Sequence, residues 1–407
     1  MDLRSAIGPD GKIHVSQGVI VGCSGGMYGN VSEAADVLAS GNIGNGGFEL
    51  SVYPASAPVG LALTKDGVTA ALAEAGAVVK PAFCGPCFGA GDTPGNNTLS
   101  IRPATRNFAN REGAKPGNGQ CAAVALMDAR SIAATAANGG VLTAASDVDY
   151  TVTPREYHYD GGIYDKRCWF GYGHPLPETP LRFGPNITDW PEIPAMKRDL
   201  LVRLCAVIRD PVTTTDELIP SGETSSYRSN PLALAEFTLS RRVPEYVAKS
   251  KAVRDGAPEA AEALQNALAA LGADPAQTGV ATCIFANKPG DGSAREQAAS
   301  CQRVLGGGAN VALEYATKRY RSNCLNWGIV PFTASAEDTA DLAPEDWIYI
   351  PGLRQGILEG KEEFAARVLR DGQTREIRLR CGGLSVQERE ILAAGCLMNW
   401  YKTKGEH

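Results

Sequence analysis

Histidine is scarce in this chain, and that scarcity limits the reactions it can carry out. The 407 residues include four histidines, His14, His158, His174 and His407. A mechanism in which histidines exchange protons with a substrate is therefore hard to assemble from this polypeptide alone. Positive charge is also in deficit, because 39 lysines and arginines stand against 45 acidic residues. The sequence thus offers no basic stripe for nucleic acid, and we expect no such partner.

Long apolar runs are lacking as well. No stretch approaches the roughly 18 residues that a membrane-spanning helix needs, and no signal-like segment opens the chain. We therefore expect a cytoplasmic protein without a membrane partner. The eleven cysteines are an odd number. In a long chain without a secretion signal, that count favours reduced thiols over a disulfide framework.

Short apolar runs alternate with helical patterns in the first part of the chain, and the length of 407 residues permits two domains. Strand–helix alternation with short connections predicts a parallel sheet covered on both faces. We expect residues 1–150 to form a three-layer α/β/α domain of the α/β class. The predicted strands are 18–22, 48–53 and 77–83, and the predicted helices are 31–40, 65–75 and 122–137.

Aromatic, glycine and proline residues then replace the periodic pattern. Residues 151–196 are predicted to be an ordered linker, since their many aromatic side chains are not typical of disorder. A second domain is expected over residues 197–407. Its clearest predicted elements are helices 258–271, 295–305 and 385–403 and strands 280–285 and 311–315.

Three cysteines carry the strongest chemical signal. Cys23 follows the apolar run 19–21, and Cys84 and Cys87 follow residues 82–83 in a Cys-Gly-Pro-Cys sequence. Both runs are predicted strands, and ligands of parallel sheets gather at the carboxyl ends of the strands. Three thiolates delivered to neighbouring strand ends can hold a cubane iron–sulfur cluster and leave one iron open to substrate.

Other interpretations of the same cysteines remain open at this point. A Cys-Gly-Pro-Cys sequence is also typical of a thioredoxin-like redox site, where a helix after the first cysteine lowers its pKa. The following residues 88–95 are a poor opening for such a helix. A zinc site lacks a fourth ligand nearby in the sequence. The three thiols could also be unreactive, and the other eight cysteines are assigned no chemistry because most lie in apolar contexts.

Several motifs in sequence order resemble the aconitase superfamily. Cys23, the Cys84–Cys87 sequence and the Arg-Asn-Phe-Ala-Asn-Arg sequence of residues 106–111 resemble the third domain of aconitase. The Thr-Thr-Asp sequence at 214–216 and the Gly-Ser-Ala-Arg-Glu-Gln sequence at 292–297 resemble its swivelling domain. The resemblance runs from near residue 20 to near residue 400, and it implies that a swivelling β/β/α domain follows the α/β domain.

The resemblance also implies a set of functional residues. Cys23, Cys84 and Cys87 would hold a 4Fe-4S cluster, and Ser293 would remove the carbon-bound proton of a hydroxy acid. The residues that would bind substrate carboxylates are Arg106, Arg111, Arg228 and Arg295. The implied activity is that of a hydro-lyase that dehydrates and rehydrates a hydroxy di- or tricarboxylic acid. A Cys84–Cys87 thiol redox protein is the alternative.

Each of these roles has a physical reason, and each residue also has a simpler alternative role. A serine is a poor base unless cations and backbone N–H groups stabilise its alkoxide, which Arg295 and the predicted helix start would do for Ser293. Taken alone, Ser293 fits a helix N-cap equally well. Guanidinium forks bind carboxylates bidentately, although a single arginine is more often a surface residue. By the same resemblance, the Tyr227-Arg228 pair favours a tricarboxylate-like substrate over isopropylmalate.

Departures from the family pattern leave the substrate open. Thr105 replaces an asparagine, Ala294 replaces a serine, and Gln297 replaces a histidine of the aconitase motifs. Nothing in residues 1–17 resembles the two domains that precede this region in aconitase and carry its histidines. We expect those domains to be supplied in cis, by a longer hydratase, or by a separate subunit. The isolated chain is then predicted to be inactive. A third interpretation, an RNA-binding module, is disfavoured by the acidic charge balance.

Overall fold

The computed structural model of the chain describes residues 1–39, 41–44, 46–103, 112–115, 119–220 and 224–404. Its internal contacts divide the chain into two compact units, Met1–Leu181 (unit 1) and Arg182–His407 (unit 2). This division falls inside the predicted linker 151–196. Across the described residues, no helix combines the length and the apolar character that crossing a bilayer requires.

Unit 1 is a mixed α/β structure built on five strands. The strands are β1 Gln17–Ile20, β2 Glu49–Val52, β3 Val78–Val79, β4 Leu99–Arg102 and β5 Ala123–Leu126. The α-helices are α1 Gly22–Gly25, α2 Tyr28–Leu38, α3 Ala57–Lys65, α4 Val68–Glu74, α5 Ala129–Ala137 and α6 Gly162–Asp165. Among the described residues of unit 1, 3-10 turns lie at Leu3–Ala6, Gly85–Phe88 and Ala145–Asp147.

Every pairing in this sheet is parallel, in the order β3-β2-β1-β4-β5. The chain builds outward from β1 to β3 on one side and then returns to add β4 and β5 on the other. The connections therefore diverge between β1 and β4, at the carboxyl ends of those strands. Such a topological switch point is where open α/β sheets bind ligands. The predicted parallel sheet is confirmed.

The two faces of the sheet are covered differently. The four longer helices α2–α5 pack in one apolar core with alternate strand residues, including Ile20, Leu50 and Ile101. The other face carries the intervening side chains Gln17, Ser51, Ser100 and Arg102, which we call the polar layer. Within the described part of unit 1, Arg102 and Ser51 of this layer donate hydrogen bonds to Pro86 and Asp92, so that the segment 86–92 lies where the three-layer prediction expects helices. The three-layer arrangement is thus shown only in part.

Two predicted helices of unit 1 differ in the structure. The predicted helix 65–75 is interrupted at Gly67, which has φ +76° and separates α3 from α4. The predicted helix 122–137 is a strand followed by a helix, because Asp128 caps α5 by accepting from the N–H groups of Arg130 and Ser131. Its small apolar residues suit either structure, and the capping carboxylate decides where the helix begins.

The predicted strand 77–83 is also shorter than expected. β3 covers Val78–Val79 alone. Pro81 has no N–H to donate to a neighbouring strand, which is consistent with this early end. Cys84 therefore lies five residues after β3 ends, and not directly after a strand.

Unit 2 contains nine strands and ten α-helices among its described residues. The strands are β6 Asp199–Ile208, β7 Thr213–Thr214, β8 Thr278–Ala286, β9 Pro289–Asp291, β10 Gly307–Ala312, β11 Val330–Thr333, β12 Trp347–Ile350, β13 Glu363–Arg370 and β14 Gln373–Arg380. The α-helices are α7 Thr215–Leu218, α8 Pro231–Ala235, α9 Tyr246–Asp255, α10 Pro258–Leu271, α11 Arg295–Val304, α12 Lys318–Asn326, α13 Ala336–Thr339, α14 Leu353–Glu359, α15 Val386–Ala394 and α16 Leu397–Lys404.

Seven of these strands close into a barrel in the order β10-β11-β14-β13-β12-β6-β8. Its main apolar core includes Val202, Phe285, Phe332 and Ile348. A second core, which includes Tyr246 and Tyr320, packs α8, α11 and α12 against β6 and β8. The β/β/α swivelling arrangement implied by the resemblance stays a prediction, while the closed barrel with helices packed against it is what the structure contains.

The predictions for unit 2 are close to the structure. α10 spans the predicted 258–271, between Pro258 in its first turn and Gly272 with φ +60° at its end. The predicted strand 311–315 begins earlier, at Gly307. The predicted helix 385–403 is broken at Gly395, where φ is +94° and a Cβ would lie 2.3 Å from the Pro194 carbonyl oxygen. A close backbone approach thus divides α15 from α16.

Candidate active site

Cys23 and Cys87 lie together at the carboxyl end of β1. Cys23 is the second residue of the short helix α1, which starts right after the strand. Gly22 has φ +89°, and a Cβ placed on it would lie 3.0 Å from Cys87 Sγ. A side chain at position 22 would therefore push against this sulfur. Glycine at position 22 brings the Cys87 thiol directly beside the Cys23 backbone.

Cys84 belongs to the same structure through a tight turn, residues 84–89, which we call the cysteine turn. The Cys87 N–H donates to the Cys84 carbonyl at 3.1 Å, and the Ala90 N–H donates to the Gly85 carbonyl at 3.0 Å. The 3-10 turn ends at Gly89, with φ +79°. A thioredoxin-like site needs a longer helix at this point, so the geometry gives the redox alternative no support.

Exposure differs among the three cysteines. Cys23 and Cys84 are exposed, whereas Cys87 is half-buried against Val19, Val21 and Tyr53. In the described part of the chain, no three His, Cys, Asp or Glu side chains are gathered closely enough to hold a metal ion. Cysteine thiolates nevertheless suit an iron–sulfur cluster in donor chemistry, and Cys87 lies beside Cys23 at the carboxyl end of β1.

Asp92 links the segment after the cysteine turn to the sheet. Its carboxylate accepts hydrogen bonds from Ser51 Oγ at 2.9 Å, from Lys80 Nζ at 2.6 Å and from the Tyr53 hydroxyl. Burial acts to raise the pKa of Asp92, but the bonds from Lys80, Tyr53 and Ser51 outweigh it and hold that pKa below its usual value. The carboxylate is therefore ionised at neutral pH.

Arg102 lies beneath the turn and is 1% exposed. Its Nη1 donates to the Pro86 carbonyl at 2.8 Å, and its Nη2 donates to the Asp92 carbonyl at 2.5 Å. The same guanidinium donates to Gln17 Oε1 at 3.0 Å and to Ser100 Oγ at 3.1 Å. Burial lowers the pKa of Arg102, and the charges of Asp92 and Glu112 oppose that shift.

Ser293 lies in unit 2, in the loop between β9 and α11. It is exposed and stands two residues before Arg295, the first residue of the ten-residue helix α11. The N–H groups at the start of a helix carry partial positive charge, which favours an anion nearby. Arg295 is half-buried, and its stabilisation of a Ser293 alkoxide stays a prediction.

Thr215 holds this serine loop in place. Its Oγ1 accepts a hydrogen bond from the Ala294 N–H at 3.2 Å. Gly292 has φ +129°, and a Cβ there would lie 2.2 Å from Thr215 Oγ1. The parallel pairing of β7 with β9 brings the two segments together. The Thr-Thr-Asp motif and the Gly-Ser-Ala-Arg motif, which are far apart in sequence, are therefore one local structure.

The predicted carboxylate-binding arginines are only partly described. Arg228 is exposed and follows the 3-10 turn Ser225–Tyr227, whose Tyr227 ring stacks on Phe237 at 5.4 Å between centroids. Arg106 and Arg111, together with Thr105, lie outside the described residues. In sequence they follow β4, the strand beside β1. Their assignment stays a prediction.

The eight other cysteines, to which the sequence analysis assigned no chemistry, are mostly buried. Six of the eight are buried: Cys205, Cys283, Cys301, Cys324, Cys381 and Cys396. Burial raises the pKa of Cys205 to about 11 and that of Cys324 to about 12. Such thiols are protonated at neutral pH and unreactive. Cys121 is half-buried and Cys168 is exposed.

Sequence reasoning missed three residues that shape these sites: Asp92, Arg102 and Thr215. Thr215 was part of a quoted motif, but its contact with the serine loop depends on strand pairing. Asp92 follows a glycine-rich stretch and has φ +46°, which aspartate tolerates better than most residues. For Arg102 the sequence contained one indication of importance, since it is a charged residue at the end of a short apolar strand.

Comparison with known proteins shows which family part of the chain resembles. Residues 4–134 match the model of the aconitase family (aconitate hydratase). This part of the chain, about a third of its length, is similar to the aconitase family. The matched segment contains Cys23, Cys84, Cys87, Arg106 and Arg111.

Relatives within this superfamily have two kinds of name. A 3-isopropylmalate dehydratase large subunit from Nitratidesulfovibrio vulgaris is 30% identical over 144 residues, which cover 34% of this chain and 34% of that protein. A mitochondrial homoaconitase from Cryptococcus neoformans is 24% identical over 298 residues, which cover 73% of this chain and 37% of that protein. The chain thus spans about a third of the length of these curated relatives.

A solved structure also resembles part of the chain. The 3-isopropylmalate dehydratase (leuD) from Methanocaldococcus jannaschii has 21% identity and a TM-score of 0.35. It covers 51% of this chain and 96% of its own.

Proposed function

We propose that this chain is the cluster-binding and serine-bearing part of an aconitase-type hydro-lyase. The observation that carries the proposal is the family match over residues 4–134, a segment that contains Cys23, Cys84 and Cys87. The homoaconitase alignment adds support for the second half. Its 298 residues exceed the length of either unit, Met1–Leu181 or Arg182–His407, so it draws on both.

Cys23, Cys84 and Cys87 would hold a 4Fe-4S cluster. When bound, such a cluster supplies a Lewis-acid iron that eases the departure of a hydroxyl group from the substrate. The exposed side chains of Cys23 and Cys84 would complete the ligand set by turning toward the half-buried Cys87. Gly22 serves this arrangement by leaving room for the Cys87 sulfur.

Ser293 would remove the proton from the substrate carbon. Its alkoxide would be stabilised by the N-terminus of α11 and by the guanidinium of Arg295, two residues away. Thr215 would keep the serine loop in this position through the Ala294 N–H.

A hydroxy di- or tricarboxylic acid is the substrate class that we propose. Arg228 and Arg295 would bind its carboxylates, and Arg106 and Arg111 would do so by resemblance to the family. The relatives are named for 3-isopropylmalate and homoaconitase chemistry. An exposed arginine at position 228 suits a substrate with a distal carboxylate better than one with an apolar side chain.

The remaining catalytic groups would come from further domains, in cis or on a separate subunit. Of the four histidines, His14 lies 3.0 Å from Asp10 on the surface of unit 1, where it is occupied by a local contact. We therefore expect the isolated chain to bind a cluster but to show no hydratase turnover. Turnover of citrate or 3-isopropylmalate by the pure chain would contradict this expectation.

Anaerobic reconstitution with ferrous iron and sulfide tests the proposed ligand set. We expect the wild-type chain to gain a visible charge-transfer band, a 4Fe-4S electron paramagnetic resonance signal on reduction and a fixed iron-to-chain ratio. Cys23→Ser, Cys84→Ser and Cys87→Ser should each abolish or sharply weaken these signals, because each removes one thiolate.

Cys168→Ser is the matched control, since Cys168 is also exposed and lies in the same unit. It should assemble the cluster as the wild type does. Failure of the wild type to assemble any cluster would overturn the proposal, as would equal loss in Cys168→Ser. A reversible Cys84–Cys87 disulfide without cluster binding would favour the redox alternative.

A further inference from the structure

We propose that Arg102 is a positioning residue that fixes the cysteine turn above the sheet so that Cys87 is presented beside Cys23. The geometry that supports this is a buried guanidinium fork between the polar layer and the backbone of the turn. The proposal rests on the proposed function for what the turn is for. Its structural part can be tested without any cluster.

The fork has two sides with different roles. Toward the sheet, it is anchored by Gln17 Oε1 at 3.0 Å and by Ser100 Oγ at 3.1 Å, and Ser100 itself donates to Gln17 at 2.9 Å. Gln17 lies on β1 and Ser100 on β4, the two strands that flank the switch point. The guanidinium plane is thereby held in one orientation by two paired strands of the sheet.

Toward the turn, the fork reaches backbone atoms on both sides of Cys87. Nη1 donates to the carbonyl of Pro86, the residue immediately before Cys87, at 2.8 Å. Nη2 donates to the carbonyl of Asp92 at 2.5 Å. The Asp92 side chain adds its own bonds to Ser51 and Lys80. The two ends of the segment 86–92 are therefore tied to the same group.

The burial of Arg102 means that its guanidinium interacts with the protein interior and not with solvent. Arg102 is 1% exposed and is the largest of the fully buried side chains. A buried cation is costly unless its donors are satisfied, and here its partners include two backbone carbonyls of the segment that carries Cys87. Lysine could keep the charge but could not reproduce the planar fork.

Amide hydrogen exchange of the cluster-free chain tests the structural part. The Cys87 and Ala90 N–H groups bond within the turn, so their exchange reports its opening. We expect Arg102→Gln to speed exchange of both amides by at least roughly tenfold, since bonds from a charged donor are lost. Arg102→Lys should give a smaller rise. The amide of Ala39 at the end of α2 should not change.

Arg155→Gln is the matched control. Arg155 is a partly buried arginine of the same unit that donates to both Asp36 carboxylate oxygens at 3.0 Å, away from the turn. It should lower the thermal stability of the chain without changing exchange at Cys87 or Ala90. Wild-type exchange at these two amides in a folded Arg102→Lys protein would overturn the proposal. So would an equal rise at Ala39, which would indicate general loosening.

Cluster retention tests the link to function. After reconstitution, the visible band should decay in air several-fold faster in Arg102→Lys than in the wild type, and Arg155→Gln should match the wild type. Equal decay in Arg102→Lys and the wild type would overturn the positioning role. If the wild type assembles no cluster, the proposed function fails, while the exchange experiment still decides whether Arg102 holds the turn.

Discussion

At the scale of single residues, the sites depend on side chains whose contacts cross the sheet. Asp92 is the clearest case, since it joins Ser51 and Tyr53 of the β2 region to Lys80 and follows the cysteine turn. Its side chain is 9% exposed and that of Lys80 is 34% exposed. The pair is shielded enough from solvent to matter more than a surface salt bridge.

Asp92→Asn should lower the free energy of unfolding of unit 1 by about 2 kcal/mol at pH 7, because the ion pair and a charged acceptor are lost. The pKa of Asp92 is depressed in the fold. Its contribution is therefore present above its unfolded pKa, near about 4, and is lost as the pH falls through its folded pKa. Urea denaturation at pH 7 and in acid measures both effects.

The control for this substitution is Asp160→Asn. Asp160 pairs with Lys65 at 3.0 Å in the same unit, but both side chains are more than half exposed. Its loss should change the free energy of unfolding by less than about 0.5 kcal/mol. A pH-independent difference between the wild type and Asp92→Asn would contradict the role given to the carboxylate.

At the scale of elements, the helix α11, which follows Ser293, is held by hydrogen bonds near both of its ends. Its Gln302 donates to the Tyr320 hydroxyl of α12 at 3.0 Å and accepts from Asn310 of β10 at 2.8 Å. Its N-terminal loop is held by Thr215 of α7. The N-terminus of the helix, and the loop with Ser293 before it, are therefore held against the barrel and its neighbouring helices.

Gly292→Ala should destabilise unit 2 by about 3 kcal/mol, because its Cβ would lie 2.2 Å from Thr215 Oγ1 at a backbone φ of +129°. The displaced loop should also lose the Ala294–Thr215 hydrogen bond. Urea denaturation followed by tryptophan fluorescence measures the change.

Gly256→Ala provides the comparison, since Gly256 ends α9 with φ +68° and a Cβ there would meet no described atom within 4 Å. It should cost only the backbone strain of about 1 kcal/mol. Equal losses for the two variants would show that the contact with Thr215 is unimportant.

At the scale of the whole molecule, each unit has its own apolar core. The clusters around Ile20 and around Val19 lie within Met1–Leu181. The three clusters of the barrel and its helices lie within Arg182–His407. Because each core is made from one unit's residues, each unit can hold its structure independently.

Scanning calorimetry should therefore show two transitions, and brief trypsin treatment should first cut near the boundary between the units. Lys166, Arg167 and Arg182 are exposed there, outside regular strands. Mass spectrometry should find two large fragments. Calorimetry of each purified fragment should give the temperature of one of the two transitions. A single cooperative transition, or first cuts within the barrel, would contradict the independence of the units.

The sequence predicted much of the fold where local signals were strong. α10 was predicted to the residue, since proline and glycine mark its two ends. The errors in unit 1 came from residues whose propensities allow two structures, such as the alanine-rich segment 122–137, where an Asp128 cap decides. The cysteine and serine sites were predicted through motifs, while Asp92 and Arg102 were not, because their importance lies in partners up to 85 residues away.

By itself, the sequence determined the kinds of chemistry available to this protein. Scarce histidines, Cys23 with the Cys84–Cys87 sequence, and the ordered motifs predict aconitase-type chemistry, because residue types set which ligands and bases exist. The tertiary structure decided which of those groups meet. The parallel order of the strands places Cys87 beside Gly22 and Arg102 beneath the turn, and the pairing of β7 with β9 places Thr215 against the serine loop. Contacts of this kind depend on long-range pairing, which no local pattern encodes.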